Sequence, residues 1–187
     1  MAQHFETLLE EALADPERAD FVTLRMAYAQ SLAYLPFGRE QGEVEELHRR
    51  MAAERWDEAL DLVELLLESD PLSIPLRFAY AHVLEEDNDE VEAGFQRTFA
   101  NGLLRTVLGS GDGRTAESAI QVLDMREMYL VLDVMGLRAI RSQLTQAGTE
   151  WIDQVGAKGR DGERDVFFNV SIPQGWLAEV QEIEPGD

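Results

Sequence analysis

Residues 54–100 constrain the fold more than any other stretch of this chain. From Arg55 to Ser69, the residues Trp56, Ala59, Leu60, Val63, Leu66 and Leu67 recur at helical spacing, so they form one apolar stripe. Leu62 and Leu65 widen that stripe, which predicts a helix covered on more than one side. Pro71 stops it, because proline cannot donate the next hydrogen bond. A second helix is expected from about Ile74 to Glu86 with Phe78, Ala81 and Val83 facing inwards. Asn88 and Asp89 break it, and a third begins near Glu90. Ala59 recurs as Ala93, and Leu66 as Ala100, each 34 residues further on.

This period, with an aromatic at Trp56, a small residue at Ala81 and a proline at Pro71, resembles the tetratricopeptide repeat. The resemblance covers about one and a half units, residues 54 to about 108. Glu90 stands where a second aromatic is expected, and no proline closes the second unit near Gly109. It implies a short solenoid ended by the next helix. Fewer than about three such units rarely stand alone, so flanking segments must complete the core.

The N-terminal flank is helical in pattern. Residues 2–14 place Phe5, Leu8, Leu9 and Ala12 on one side. Asp20 is suited to cap a helix whose inner face holds Leu24, Ala27, Tyr28 and Leu32. Pro36 and Gly38 end it. A helix from Val44 to Ala53 forms a hairpin with the one starting at Arg55. Arg25 lies among apolar neighbours, which predicts a buried or half-buried ion pair joining the N-terminal helices to the body.

Beyond about residue 112 the pattern changes. SAIQVLD (118–124) reads as a short buried strand, and Met128, Leu132 and Met135 have helical spacing. From Leu137 the residues alternate, and Ala147-Gly148 reads as a two-residue turn. That turn sets Leu144 opposite Trp151 and Ile140 opposite Val155. GAKGRDGE (156–163) reads as a mobile loop, DVFFNVSI (165–172) as a strand, and IPQGWLAEV as a short final helix. The expected fold class is α+β: tetratricopeptide-like helical hairpins at 1–111, packed on a small antiparallel β-sheet with short helices at 112–180, and a flexible tail at 181–187.

Charge narrows the function classes. The formal net charge of −21 disfavours nucleic acid, where phosphate must be neutralised, and an anionic membrane surface. Without cysteine there is no disulfide, thiol nucleophile or thiolate metal site. The acidic, amphipathic start is unlike a secretory signal, and no apolar run is long enough to span a membrane, so a cytoplasmic protein is expected.

No motif indicates catalysis. His4, His48 and His82 lie on three predicted helices without metal-ligand spacing, and neither HExxH nor GxSxG occurs. GSGDGRT (109–115) follows a helix instead of preceding one and lacks a lysine, so it is no phosphate loop. Asp112 there reads as a turn residue before a calcium ligand. The paired acids Glu10-Glu11, Glu45-Glu46 and Glu85-Glu86-Asp87 read as solvated helix faces. Neither a metal nor a cofactor is expected, and the protein is not expected to be an enzyme.

The segments DFVTLRMAYAQS, YLPFG, WDEAL, DPLSI, LLRTVLGSGDGRTAESAIQVL and FFNVSIPQGWL, across residues 20–178, together resemble an uncharacterised bacterial family. That family joins a tetratricopeptide-like half to a small mixed α/β half, and it implies architecture without activity. The expected function is a protein-binding module that uses the concave face of the helical array, with Phe78, His82, Glu85 and Glu86 along it. The partner is a protein or peptide, basic or amphipathic. Alternatives are an acidic chaperone or immunity-type protein for a basic partner, a hydrolase using acidic residues, and a self-associating protein whose groove or sheet edge is filled by another copy.

Overall fold

A computed structural model describes residues 2–37 and 41–183. The chain forms two compact units, Met1–Thr106 and Val107–Asp187. The fold class is α+β.

The first unit holds α1 (Ala2–Ala14), α2 (Phe21–Ala29), α3 (Gln41–Ala52), α4 (Trp56–Ser69), α5 (Ile74–Glu86) and most of α6 (Glu90–Leu108). Asp20 caps α2, its carboxylate accepting from the Thr23 backbone N–H at 3.1 Å and the Thr23 hydroxyl at 2.6 Å. Leu24, Ala27 and Tyr28 are buried as the spacing requires, and so is Arg25, at 3% exposure. Leu32 is not buried: it is 96% exposed. The helix stops at Ala29, where the Gln30 N–H turns back to the Ala27 and Tyr28 carbonyls, so helical spacing no longer governs Leu32. Gly38 lies outside the described residues.

Leu47, Ala59, Val63, Leu66, Leu67, Leu76 and Val83 form a buried cluster drawn from α3, α4 and α5. Trp56, Leu60, Leu62 and Tyr80 cover its margin. Leu65 does not join it and is 57% exposed. It lies about 100° round the helix from Leu66, among the exposed Asp61, Glu64 and Glu68. At the other end of the unit Phe21 meets Phe99 edge-on at 5.1 Å, and the Phe21 ring lies directly over Gly102.

The 34-residue period is carried by the backbone as well as by side chains. α4 and α6 start 34 residues apart, at Trp56 and Glu90, and Ala59 and Ala93 are each fully buried. The turns before them match bond for bond. After α3, the N–H groups of Ala53, Glu54 and Arg55 donate to the carbonyls of Arg49, Met51 and Arg50. After α5, those of Asp87, Asn88 and Asp89 donate to Val83, Glu85 and Leu84. Glu54 and Asn88 adopt φ of 56° and 64°, the left-handed residue that closes such a helix end.

The second unit holds β1 (Ile120–Gln121), α7 (Met125–Val134), β2 (Arg138–Ala147), β3 (Glu150–Gly159), β4 (Gly162–Asn169) and α8 (Ser171–Ile183). The strands form one sheet in the order β1-β4-β3-β2. It is mixed, not purely antiparallel, because β1 runs parallel to β4. Asp124 caps α7 by accepting from the Arg126 N–H. Ile120, Val155, Val166 and Phe168 are buried on one face, while β3 is buried on both, with Ile152 on the other.

Further sequence expectations fail in this unit. The β2–β3 turn is Gly148-Thr149, with Gly148 at φ 66°, so Leu144 faces Asp153 and Val155 faces Ser142. A β-bulge between Ala139 and Arg141 removes Ile140 from the register, and both Ile140 and Leu144 are exposed. Residues 156–163 are not a loop: Gly156 to Gly159 belong to β3, Gly162 and Glu163 to β4, and only Arg160-Asp161 form the tip. Gly162, at φ 113°, makes so tight a hairpin possible. The final helix is longer than expected, so residues 181–183 are helical. Residues 184–187 of the expected tail lie outside the described residues.

Candidate functional site

On α5 the residues expected to meet a partner lie one turn apart, at Phe78, His82 and Glu85-Glu86. Phe78 is half-buried, while His82 and Glu86 are exposed. The His82 ring meets Trp56 of α4 edge-on, with centroids 5.8 Å apart and an interplanar angle of 77°. His82 Nδ1 lies 3.8 Å from Glu85 Oε2. The other Glu85 oxygen pairs with Arg97 of α6. Three helices therefore contribute to one surface strip, with an aromatic wall at Trp56 and alternating charge beyond His82.

Trp56 is also a wall of a cleft of about 290 Å³ lined by Glu54, Arg55, Asp57, Glu58 and Asp87. Arg55 is the single cation among these, and it pairs with Glu58 at 3.1 Å and with Glu46 at 3.5 Å. Arg49 and Arg50 also converge on Glu46, and the Arg50 hydrogen bond holds its carboxyl below the usual range. Asp57 and Glu58 occupy the first turn of α4, where the helix dipole favours them. The cleft remains net negative.

Behind this surface lies a polar centre that the sequence did not announce. Arg77 is 5% exposed, and its guanidinium donates to the Pro71 carbonyl at 2.9 and 3.2 Å and to Gln96 Oε1 at 2.8 Å. It also lies 4.4 Å above the centre of the Phe99 ring. Gln96 passes the interaction on to Glu92 at 2.7 Å. Burial lowers the Arg77 pKa to about 10, partly offset by Tyr80 and Glu92, so the group stays charged at neutral pH. Tyr80 donates to Glu64 Oε1 at 2.7 Å, and burial together with that carboxylate raises its pKa well above the ordinary value of 10.0. Arg77 ties α5, α6 and the α4–α5 turn together, and so fixes the strip that carries Phe78 and His82.

The second unit has its own cleft, of about 460 Å³, at the tip of the β3–β4 hairpin. Val134, Met135 and Leu137 form its apolar side, and Arg160, Glu163 and Arg164 its charged side. Asp112, in the glycine-rich segment, accepts from the Arg114 N–H at 3.0 Å and the Ser118 hydroxyl at 2.6 Å, which makes it a turn-closing residue. Among the described residues no group of three or more histidines and carboxylates is arranged to hold a metal ion, and no helix is long and apolar enough to cross a membrane.

Residues 6–175 match the model of a family described as a domain of unknown function, DUF4919. The chain belongs to this family. No curated protein and no solved structure matches it. The DUF4919 match spans both compact units, so the helical strip and the sheet belong to one family domain.

Of the residues expected at the site, His82 and Glu85 meet, Phe78 lies a turn away, and Glu86 ends the helix. Trp56, Glu54, Asp57 and Asp87 were not assigned to it from sequence. For the first three the signal was present in ERWDE (54–58), a tryptophan bracketed by acids at a helix start; Asp87 comes from the turn after α5.

Proposed function

We propose that this protein is a non-catalytic binding module, bacterial and cytoplasmic, whose tetratricopeptide-like helices hold a basic or amphipathic segment of a protein partner. The observation that carries this reading is Trp56, placed edge-on to His82 and at the same time forming the wall of a cleft with four carboxylates and one arginine. A half-buried aromatic beside acids that outnumber the one arginine suits a segment that offers both an apolar side chain and a lysine or arginine. The matching helix ends at Glu54 and Asn88 support the repeat reading. The net charge of −21 favours rapid capture of a basic partner.

Site-specific photo-crosslinking in cells tests it. A benzophenone side chain at Phe78 or His82 is expected to trap a protein whose linked peptide is rich in lysine or arginine. The same label at Leu65, exposed on α4 outside the cleft, is expected to trap nothing. Equal labelling at all three positions, or at none, removes the reading.

A further inference from the structure

Among the described residues the sheet order gives β2 a neighbour on one side only. The other edge strand, β1, has two residues and cannot template another strand. β2 has ten, and nine of them are exposed. An exposed edge of this length is a ready surface for strand pairing unless it is blunted. RAIRSQLTQA contains no proline, lysine or acid; its one irregularity is the bulge at Ile140. Past that bulge, Arg141 to Ala147 run in unbroken register, and Leu144 is their midpoint. Across the sheet Leu144 lies in one row with Asp153, Phe168 and Ile120. The last three are buried, whereas Leu144 is 44% exposed at the open end of the row.

We propose that β2 pairs antiparallel with β2 of a second copy of this chain, across a two-fold axis at Leu144. An isologous axis must place each residue against one on the same face, so opposed residues differ by an even number. With Leu144 on the axis, Gln143 faces Thr145, Ser142 faces Gln146 and Arg141 faces Ala147, and no like charges are opposed. The strand is also electrically polar: Arg138 and Arg141 lie at its start, and Glu150 lies just past its closing turn. Antiparallel pairing brings the cationic end of each copy beside the acidic end of the other. A parallel neighbour would set cations against cations. The net charge of −21 opposes association at long range, so the dimer is concentration-dependent. β2 and the helical strip belong to different units of the chain, and the proposal stands without the binding function above.

The chain has no cysteine, so L144C introduces a single thiol. Opposed Cα atoms in an antiparallel pair lie about 4.5–5.5 Å apart, within disulfide reach. Under mild oxidation L144C is expected to form a covalent dimer at least about 10-fold faster than V91C, a thiol at an 87% exposed position on α6. Wild-type protein is expected to show concentration-dependent dimerisation in sedimentation equilibrium, and L144K, which sets two ammonium groups face to face, to remain monomeric with an unchanged circular dichroism spectrum. A wild-type chain monomeric up to about 200 μM, where a Kd in the micromolar range would show, overturns the proposal. So does an L144C rate no higher than that of V91C. Faster cross-linking of S142C than of L144C overturns the axis.

Discussion

Glu54 and Asn88, 34 residues apart, occupy the same left-handed position after α3 and α5, with φ of 56° and 64°. Asparagine tolerates that conformation; glutamate does so at a cost of about 1 kcal/mol. Replacing Glu54 by glycine is therefore expected to raise stability by about 0.5–1 kcal/mol, and Asn88→Val to lower it by about 1–2 kcal/mol. Urea midpoints at constant m-value measure both. A loss of stability in E54G would mean that the turn is not held by its backbone.

Arg77 is expected to be the most sensitive polar residue of the helical unit. Arg77→Ala leaves Gln96 and the Pro71 carbonyl without their donor and uncovers Phe99, a loss of about 3 kcal/mol. Arg77→Met keeps most of the volume and should cost less, and adding Gln96→Leu should recover part of the loss, since both partners are then apolar. Strict additivity in that double-mutant cycle would contradict a shared network.

At two glycines an added side chain is expected to meet a neighbouring one. A Cβ on Gly156 would lie 2.6 Å from Arg141 Cγ, where that arginine crosses β3 to reach Asp165 at 2.5 Å. A Cβ on Gly102 would enter the Phe21 ring. Gly102→Ala should cost about 1–3 kcal/mol, and Gly156→Ala less, because the exposed Arg141 side chain can swing aside. Gly136→Ala is a weaker control, since its site has open space and only its φ of 67° to lose. Thermal unfolding ranks the three.

Tyr80 is expected to ionise well above the ordinary tyrosine value in an alkaline absorbance titration, and Glu64→Gln should bring it down. The unfolded chain loses this proton near pH 10 while the folded protein still holds it. Its contribution is therefore complete below pH 10 and lost as pH rises towards the raised folded value. Asp20 has the opposite sign. The hydroxyl and the N–H of Thr23 lower its pKa, so its contribution is present above its unfolded value near 3.8 and lost as pH falls. Asp20→Ala should cost about 1 kcal/mol at neutral pH and progressively less as pH falls below 3.8.

Helix boundaries were legible wherever a local signal existed. Asp20 declared its cap, Pro71 ended α4, and Ala59 and Ala93 declared the repeat, because each depends on bonds within a few residues of chain. Leu32, Leu65, Ile140 and Leu144 were misread for one shared reason. Each carries an apolar side chain at a plausible spacing, yet burial depends on where the element stops and what faces it. At the site, Phe78, His82 and Glu85 could be aligned on one helix, but their meeting with Trp56 and Arg97 required three helices to come together.

From the sequence came the α+β division, the 34-residue helical period, the absence of thiol chemistry and the acidic surface, all properties of local spacing or of composition. Only the tertiary structure decided the β2–β3 register, the parallel placement of β1, the burial of Arg77 and the bare edge at Leu144. A turn moved by one residue exchanges every cross-strand partner, and a charge can be buried only where distant segments supply its bonds, so neither outcome is written in any short stretch of chain.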